Sequence, residues 1–356
     1  MKLIYNSKKE EIACCFFRST VHKPNIKVLL QITERCNMRC KHCFVSSLSE
    51  GNDLSFEIIK EQILPKLKEA NVTRVTLTGG EPMVHRNIMD IIKLFNENKI
   101  HITLCTNALG LNEEKIIEIS KLNDVHVNVS LDGFSSKSHG KFRGNDSDII
   151  FNKIIENIKL LSKYNLLNGI MTSPNKYSSV QEYIDICKFA KKCNANYVLF
   201  NPLSNFGRGQ YTQDLGYTKD ELIELRKSIE NEKIETENFQ IVYIRIPKEN
   251  SDGELTECNC EIPYIFTNGD VAVCPYLVFA CQNEESKYDR KDFLYGNILD
   301  KEFNLLKRMN EYKFPEHNSK LLNNSNCESC NKGCKAIKIA YGLSIYDNDI
   351  EMLNKK

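Results

Sequence analysis

The feature that most restricts the fold of this 356-residue chain is a regular alternation of strand-like and helix-like segments. Runs of β-branched and apolar residues predict six strands, at 27–33, 73–78, 100–105, 125–131, 167–172 and 196–201. Helical spacing of apolar residues predicts helices between and after them, at 55–70, 88–98, 112–121, 148–164, 178–193 and 218–232. Repeated strand–helix units require a parallel sheet with helices outside it. Six units do not close the eight-stranded barrel, so we predict an α/β fold with a partial (β/α)6 TIM-like barrel.

Single residues refine the ends of the predicted helices. Asn112 can cap the helix that follows it, and Thr218 with Glu221 forms a capping-box pattern. Pro65 lies inside the helix predicted at 55–70 and should kink it, because proline lacks the backbone N–H that a helix interior needs.

The strand–helix alternation fades after residue 246, where cysteines become dense. We predict three parts, a lead-in at 1–26, the partial barrel at 27–246 and a cysteine-rich domain at 247–356. In the last part, apolar runs flank Asn268-Gly269, a dipeptide typical of a two-residue hairpin turn. That turn predicts a β-hairpin.

Composition restricts the function classes. Charge is balanced, with 48 Lys and Arg against 47 Asp and Glu, which argues against a dedicated nucleic-acid binder. No apolar run approaches the ~20 residues that span a bilayer, and the first residues carry charges where a signal peptide needs its apolar core. We therefore expect a cytoplasmic protein that is not bound to a membrane, with reduced thiols. Its 15 cysteines are then better explained by metal or cluster ligation than by disulfides.

Three of these cysteines, Cys36, Cys40 and Cys43, lie within eight residues directly after the first predicted strand. Thiolates at this spacing can ligate three irons of a [4Fe–4S] cluster and leave the fourth iron without a protein ligand. A zinc site is the alternative and needs a fourth ligand. His42 could supply it, but it is crowded between two of the cysteines.

Polar residues also follow the other predicted strands, where parallel strands place functional loops. These candidates are Gly79-Gly80-Glu81-Pro82, Thr106, Asn107, Ser130, Asp132, Arg143, Asn201, Gly207 and Arg208. Two glycines let the backbone approach a ligand closely, and Glu81 adds a carboxylate. Taken singly, each of these residues could equally have an ordinary loop role.

Taken together, CxxxCxxC after the first strand and GGEP after the second resemble the signature of the radical S-adenosylmethionine (SAM) enzymes, whose fold is a partial barrel. The resemblance implies that the open iron chelates the amino and carboxylate groups of SAM. An electron from the cluster then cleaves SAM and releases a 5′-deoxyadenosyl radical.

The same resemblance implies roles for individual residues. The backbone of Gly79, Gly80 and Pro82, together with Glu81, would hold the methionyl amino group of SAM. Arg143, in a His-x-x-x-Arg-Gly segment, would lie near the SAM carboxylate. Other strand-end residues would contact the methionine or ribose, namely Thr106, Asn107, Ser130 and Asp132. The sixth strand end, with Asn201, Gly207 and Arg208, would reach the adenine or the substrate.

The carboxy-terminal cysteines resemble the SPASM domain, which carries up to two auxiliary iron–sulfur clusters, or its half-sized Twitch form, which carries one. The candidate ligands are Cys258, Cys260, Cys274, Cys281, Cys327, Cys330 and Cys334. The pattern departs from SPASM in lacking one cysteine between Cys330 and Cys334 and any cysteine after Cys334. Zinc held by Cys258, Cys260, Cys327 and Cys330 is the alternative.

The other cysteines receive no catalytic role. Cys105, Cys187 and Cys193 are predicted to pack in the core, as free cysteine packs like a small apolar residue. The alternative for Cys105 is that it approaches SAM, because it lies close to the end of its strand. Cys14 and Cys15 are left without a role. No general acid or base is assigned.

The resemblance implies an enzyme that modifies peptides, since proteins of this architecture mostly do so. We therefore expect a radical SAM oxidoreductase that forms a thioether or carbon–carbon crosslink in a ribosomally synthesised peptide (RiPP maturation). The enzyme alternatives are oxidation of a sulfatase active-site residue and action on a small-molecule cofactor precursor. A zinc-bound structural or regulatory protein is the non-enzyme alternative.

The expected partners are a peptide substrate and an electron donor such as flavodoxin or ferredoxin. Several peptide maturases of this family begin with a peptide-recognition domain, whereas 26 residues precede the predicted barrel here. We therefore expect the leader peptide to be bound by a separate protein, by another surface of this chain, or not at all.

Overall fold

The computed structural model describes residues 25–246, 262–315 and 334–345. Its strands are β1 (Ile26–Thr33), β2 (Val72–Gly79), β3 (His101–Thr106), β4 (Val125–Ser130), β5 (Leu167–Thr172), β6 (Tyr197–Phe200), β7 (Gln240–Tyr243), β8 (Tyr264–Ile265), β9 (Asp270–Ala272) and β10 (Leu294–Asn297). Its helices are α1 (Phe56–Ile58), α2 (Leu64–Glu69), α3 (Ile88–Glu97), α4 (Glu113–Ser120), α5 (Ser136–Arg143), α6 (Asp148–Lys163), α7 (Val180–Lys192), α8 (Lys219–Asn231), α9 (Pro275–Ala280), α10 (Leu305–Glu311) and α11 (Lys335–Ala340).

One sheet organises the described residues, in the order β10-β9-β8-β1-β2-β3-β4-β5-β6-β7. Neighbours from β1 to β7 are parallel, β8 is parallel to β1, and β9 is antiparallel to both β8 and β10. This arrangement confirms the predicted α/β fold with six strand–helix units. It adds a seventh parallel strand, β7, whose four residues are too few for a strand pattern to be read from the sequence.

The two faces of the sheet pack in different cores. On β1, Val28, Leu30 and Ile32 join the main apolar core that the barrel helices share. Leu29, between them, packs in a second core with Tyr264 and helix α9. Because successive side chains of a strand alternate between faces, β1 is buried on both sides, as its almost unbroken apolar run predicts.

Polar side chains cross the barrel interior near its amino-terminal end. The Tyr197 hydroxyl donates to Asn128 Oδ1 at 2.8 Å, and Asn168 Nδ2 donates to the same oxygen at 2.9 Å. Gly169 makes this possible, because a Cβ there would lie 2.5 Å from the Tyr197 ring. The interior floor is therefore a packed hydrogen-bonded layer.

The predicted helix ends and the predicted kink are both present. Asn112 caps α4 by accepting from the Lys115 N–H, and Thr218 with Glu221 forms the capping box of α8. The helix containing Pro65 widens to a π-helical turn at Ile59–Ile63 before α2 begins. A wide turn relieves the clash that proline causes in a regular helix.

Helix α5 is a segment that sequence periodicity missed, because small and polar residues dominate it. It ends at Gly144, which has a φ of +82° and so adopts the left-handed conformation that glycine tolerates best. Gly140 inside the helix allows the following loop to fold back closely, since a Cβ would lie 2.2 Å from the Asp146 Cα.

The carboxy-terminal part continues the barrel sheet. The predicted hairpin forms from β8 and β9, and Gly269 in its turn has a φ of +87°. The pairing of β8 with β1 carries one sheet across the predicted boundary near residue 246, and the division into 27–246 and 247–356 stays a prediction. Among the described residues, no helix is long and apolar enough to cross a membrane.

Candidate functional site

A single cavity lies at the carboxyl ends of the barrel strands. Its lining includes all three clustered cysteines and nine of the ten predicted cofactor-binding residues, which are Cys36, Cys40, Cys43, Gly79, Gly80, Glu81, Thr106, Asn107, Ser130, Asp132, Arg143 and Asn201. The tenth, Pro82, does not line the cavity but begins the short 3-10 turn Pro82–Val84. The strand ends thus converge as a parallel sheet requires.

The loop that carries the three cysteines is held by backbone hydrogen bonds from the end of α5. The Arg39 N–H donates to the Arg143 carbonyl at 3.2 Å, and the Lys41 N–H donates to the Phe142 carbonyl at 2.9 Å. The Met38 N–H donates to Cys36 Sγ at 3.4 Å. A helix that the sequence did not predict therefore positions the cysteine loop.

Burial sets the protonation of the cysteine thiols in this loop. It raises the pKa of Cys40 to about 12 and also raises that of Cys36, while Arg143 lowers both. The Arg143 Nη1 group lies 3.7 Å from Cys40 Sγ. Thiolates buried here need a neighbouring positive charge, which a bound metal centre and Arg143 together would supply.

The residues fit a polynuclear cluster better than a single zinc ion. Zinc needs four donors around one point, and this loop offers three thiols with His42 as the candidate for the fourth ligand. His42 stacks on Phe142 instead, with ring centroids 4.3 Å apart, and its Nε2 lies 3.5 Å from Asp132 Oδ2. Three thiols without a fourth ligand are what a cluster with one open iron requires.

Asp132 joins the loop to Arg143. Burial alone would raise its pKa, but Arg143, His42 and His139 together with the Ser173 N–H lower it below the usual range. The Arg143 Nε donates to Asp132 Oδ2 at 2.6 Å. Asp132 thus fixes the guanidinium beside Cys40, and its predicted contact with SAM stays a prediction.

The half-buried His42 and the buried His139 border this ion pair in neutral form. Burial lowers the pKa of His42 to about 4 and that of His139 to about 3. His139 Nδ1 accepts from the Asp132 N–H at 3.2 Å. His42 Nδ1 and His139 Nε2 have no hydrogen-bond partner within the described part of the chain. The two rings are therefore uncharged packing groups with one spare polar atom each.

Glu81 ties the ends of β2 and β3 together. Its carboxylate accepts from the Met83 N–H at 3.0 Å, the Thr106 hydroxyl at 2.6 Å and the Asn107 N–H at 2.7 Å. Burial raises its pKa, and these three hydrogen bonds oppose the rise. Since a carboxylate has about four acceptor sites, one remains for a ligand, and the predicted contact with the SAM amino group stays a prediction.

The predicted glycine pair brings the cysteine loop onto the end of β2. A Cβ on Gly80 would lie 2.3 Å from the Arg35 carbonyl oxygen, so any larger residue would push the loop away. Asn107 reinforces the contact, because its Nδ2 donates to Asn37 Oδ1 inside the cysteine loop at 2.8 Å. Both contacts set the position of the loop relative to the strand ends.

Arg208 lines the cavity and also holds the cysteine loop, and its predicted contact with the adenine or the substrate stays a prediction. Its Nε donates to the Cys40 carbonyl at 2.9 Å, its Nη1 to the Ser47 carbonyl at 2.8 Å, and its backbone N–H to the Cys43 carbonyl at 2.9 Å. Gly207 beside it has a φ of +58° and packs directly against the loop backbone. No local sequence pattern indicates these contacts, which join residues more than 160 positions apart.

Asn201 connects the barrel to the carboxy-terminal part. Its Nδ2 donates to the Tyr276 hydroxyl at 3.1 Å, and its Oδ1 accepts from Arg245 Nη2 at 2.9 Å. Tyr264 and Tyr276 of the carboxy-terminal part also line the cavity. The cavity wall is therefore built by both predicted domains.

The described auxiliary-ligand candidates fall into two places. Cys274 and Cys334 immediately precede α9 and α11, which pack together, and neither lines the cavity. Burial is the main cause of the raised pKa of Tyr276, and both thiols add to it, so they lie near one hydroxyl. Cys281 follows the other end of α9 and interacts with Ser286. The other candidates, Cys258, Cys260, Cys327 and Cys330, fall outside the described residues.

The three cysteines that were predicted to pack in the core are not equally buried. Cys187 and Cys193 are buried, as predicted, with 0% and 6% exposure. Cys105 packs against the second core, as predicted, but it is only partly buried and also lines the cavity. Its position near the end of β3 was visible in the sequence, but the direction of its side chain depends on the register of the sheet. Cys14 and Cys15 lie outside the described residues.

Comparisons with known proteins find a family model and relatives that include enzymes. Residues 30–190 match the family model of the radical SAM superfamily. The antilisterial bacteriocin subtilosin biosynthesis protein AlbA of Bacillus subtilis (strain 168) is 27% identical over 76% of this chain and 56% of its own length. A cysteine-type anaerobic sulfatase-maturating enzyme of Clostridium novyi (strain NT) is 31% identical over 48% of this chain and 49% of its own. The chain thus spans about half the length of these curated relatives.

Solved structures share the fold. Streptococcus suis SuiB bound to S-adenosylmethionine superposes with a TM-score of 0.65 at 19% identity, covering 93% of this chain and 75% of SuiB. At this identity the likeness establishes the architecture alone. It extends well beyond residues 30–190 and so includes the carboxy-terminal part.

Proposed function

We propose that this chain, which belongs to the radical SAM superfamily, reductively cleaves SAM and uses the resulting radical to modify a peptide. The observation that carries the proposal is the convergence of Cys36, Cys40 and Cys43 with the strand-end polar residues in one cavity. When bound, a [4Fe–4S] cluster and SAM supply a 5′-deoxyadenosyl radical, and the protein supplies binding, orientation and exclusion of water.

The chain's own residues would divide these tasks. The three thiolates would hold the cluster, and Arg143 would stabilise the Cys40 thiolate with its charge. Glu81, Gly79 and Gly80 would bind the amino end of SAM. Asn107, Ser130 and Asn201 would contact the rest of SAM along the strand ends, as would Thr106 and Asp132. Six of these residues already make hydrogen bonds to protein groups, namely Glu81, Thr106, Asn107, Asp132, Arg143 and Asn201. The cavity is therefore largely preformed before ligands bind.

A peptide substrate is favoured by the relatives. AlbA is named as a bacteriocin biosynthesis protein. SuiB and the enzyme anSMEcpe were solved with bound peptides, the precursor SuiA and a peptide called Kp18Cys. We propose that this chain forms a thioether or carbon–carbon crosslink in a ribosomally synthesised peptide. We also propose that a low-potential electron donor such as flavodoxin or ferredoxin reduces the cluster, and that the protein acts in the cytoplasm.

The carboxy-terminal cysteines support at least one auxiliary cluster. Cys274 and Cys334 precede two packed helices and lie near the same tyrosine hydroxyl, which suits a shared site. Cys281 lies at the far end of α9, seven residues on, or about 10 Å along a helix axis. We propose that Cys274 and Cys334 serve one cluster and that Cys281 does not join it.

Anaerobic reconstitution tests the proposal. The protein is loaded with iron and sulfide, reduced, and assayed for 5′-deoxyadenosine from SAM by mass spectrometry. We expect cleavage in the wild type and in Cys187→Ala, a matched core cysteine, and none in the triple variant of Cys36, Cys40 and Cys43 to alanine. Cleavage that persists in the triple variant, or zinc without acid-labile sulfide in the wild type, would refute the proposal.

A further inference from the structure

The part of the cavity that faces the barrel interior contains groups to which the proposed cofactor contacts give no role. Leu29, Met171 and Leu199 give it apolar walls. Thr76, Cys105 and Tyr264 place two hydroxyls and a thiol among them. We call these six residues the inner subsite. They come from six different strands, β1, β2, β3, β5, β6 and β8.

Both hydroxyls of the inner subsite lack a hydrogen-bond partner among the described residues. Thr76 is 0% exposed and Tyr264 is 1% exposed, and neither hydroxyl has a hydrogen-bond partner among the residues that the structure describes. A buried polar group without a partner costs about 1–3 kcal/mol. Groups of this kind lining a cavity indicate that a ligand with polar atoms completes them.

Cys105 is the reactive group of the inner subsite. Its sulfur accepts a long contact from Asn128 Nδ2 at 3.9 Å, and it is partly exposed to the cavity. Burial raises its pKa to about 12, although the Lys27 ammonium opposes the rise. At neutral pH the group is therefore a thiol with its hydrogen in place. Tyr264 lies close enough to both Cys105 and Cys43 for each to affect its pKa, so the inner subsite adjoins the cysteine loop.

We propose that Cys105 is a hydrogen-atom donor to carbon radicals formed in this cavity. The inference rests on the proposed radical SAM function and extends it to the step in which a substrate radical is quenched. An S–H bond is weaker than most C–H bonds, so hydrogen transfer from a thiol to an alkyl radical is downhill. The phenolic O–H of Tyr264 is also weak enough to donate a hydrogen atom, but Tyr264 is 1% exposed. Cys105 is partly exposed to the cavity and is therefore the side chain of the inner subsite better suited to that transfer.

The step balances in atoms and electrons. A substrate carbon radical takes the hydrogen atom of the Cys105 S–H, which forms a C–H bond and leaves a thiyl radical on sulfur. One electron from a low-potential donor of the class that initiates SAM cleavage, together with one proton, restores the thiol. Water that reaches the cavity supplies that proton, since Cys105 is partly exposed there. The net change at the substrate is redox-neutral, such as inversion of a carbon centre, and competes with crosslinking.

Deuterium transfer tests the proposal without an identified substrate. The reconstituted protein is exchanged into D2O, which converts Cys105 to S–D, and SAM is cleaved with titanium(III) citrate in the absence of added thiols. The radical made from SAM then takes its hydrogen from the cavity. We expect wild-type 5′-deoxyadenosine to carry one deuterium, and Cys105→Ser to lose this label to the level of an H2O control. A serine O–H bond is too strong to donate its hydrogen atom.

Matched variants make the result decisive. Cys187→Ala, which removes a buried cysteine of α7, should leave deuterium incorporation unchanged. Cys105→Ala should behave as Cys105→Ser, which separates the chemistry from the shape of the side chain. Equal labelling in wild type and both Cys105 variants, or unlabelled product from the wild type, would overturn the hydrogen-donor role. Absence of any 5′-deoxyadenosine from the wild type would instead overturn the proposed function.

A second readout does not depend on turnover. Iodoacetamide is added to the reconstituted protein with and without SAM, and alkylation of each cysteine is followed by peptide mass spectrometry. Because its raised pKa leaves little thiolate, Cys105 should be alkylated slowly when SAM is absent and more slowly still when SAM is present, while Cys187, which is 0% exposed, should stay unmodified in both. Alkylation of Cys105 that SAM does not change would contradict its place in the reaction cavity.

Discussion

The two cysteine-bearing regions of this molecule are built differently. The loop from Cys36 to Cys43 is held from several sides, by the end of α5, by Asn107 and by Arg208. Cys274 and Cys334 instead precede two six-residue helices that pack on each other. The first region is immobilised by polar contacts with the barrel, and the second by apolar packing of short elements. From this comparison we expect the loop to keep its geometry before metal binds, and the geometry of the second region to depend more on metal binding.

The largest expected effect separates the two regions directly. Cys40→Ala should abolish SAM cleavage, because the buried cluster loses one of three protein ligands. Cys274→Ala should retain SAM cleavage and lose the modified product together with the iron of one cluster. Iron and sulfide analysis with 5′-deoxyadenosine quantification measures both. If Cys274→Ala lost SAM cleavage as completely as Cys40→Ala, the two regions would not be functionally separate.

Within the second region, Cys281→Ala should differ from Cys274→Ala. The two thiols stand at opposite ends of α9, so removing Cys281 should leave the cluster that Cys274 ligates intact. This prediction is tested by comparing the iron content and the electron paramagnetic resonance spectrum of the reduced protein between the two variants. Identical iron loss in both would place Cys281 in the same cluster and contradict the proposed division.

The ion pair between Asp132 and Arg143, which supports the cysteine loop, should contribute more to the free energy of unfolding than an exposed ion pair. Asp132→Asn leaves Arg143 buried without its counter-charge, which costs about 3–5 kcal/mol of unfolding free energy. Glu311→Gln is the control, since it breaks an ion pair with Lys307 whose side chains are 57% and 70% exposed. That control should cost about 0–1 kcal/mol. Urea unfolding of the cluster-free chain gives both values, and equal losses would argue against a special role for Asp132.

The buried histidines predict a pH dependence of stability. The pKa values of His42 and His139 are about 4 and about 3 in the folded chain, below the ordinary value of about 6.5. The unfolded state therefore binds more protons between these limits, so stability is full above pH ~6.5 and falls as the pH drops. Each histidine contributes up to about 1.4 kcal/mol per pH unit in that window.

Thermal unfolding of the cluster-free chain at several pH values between 5 and 7.5 measures this dependence. His139→Gln should show a shallower decrease than the wild type, because it removes one of the histidine protonations that favour the unfolded state. A slope that His139→Gln does not alter would mean that the ring is not held neutral by burial.

The smallest effect concerns the contacts of Arg208. Arg208→Gln removes charged hydrogen bonds to two loop carbonyls and should cost about 1–3 kcal/mol, with faster loss of the cluster during dilution. Arg226→Gln is matched, because Arg226 also donates to a carbonyl, that of Ile246, but far from the loop. Its cluster should be lost at the wild-type rate. Cluster absorbance followed over time separates a local effect on the loop from a general loss of stability.

Much of the fold was predictable because it depends on local patterns. The six strand–helix units followed from periodicity, and the ends of α4 and α8 from capping residues at Asn112 and Thr218. Strand β7 and helix α5 were missed for opposite reasons. The first is too short to show a pattern, and the second contains glycine and serines that lower helix propensity. Tertiary contacts with the cysteine loop stabilise α5 where propensity alone would not.

The sequence by itself determined the spacing of Cys36, Cys40 and Cys43 and the order of the strand ends, because both are properties of neighbouring residues and of a repeated unit. Only the tertiary structure decided that Arg208 holds the cysteine loop, that Tyr276 walls the cavity and that Cys105 faces it. The physical reason is that these contacts join distant segments through the register and closure of the sheet. A one-residue change of register would turn Cys105 to the other face, and the linear sequence does not display that choice.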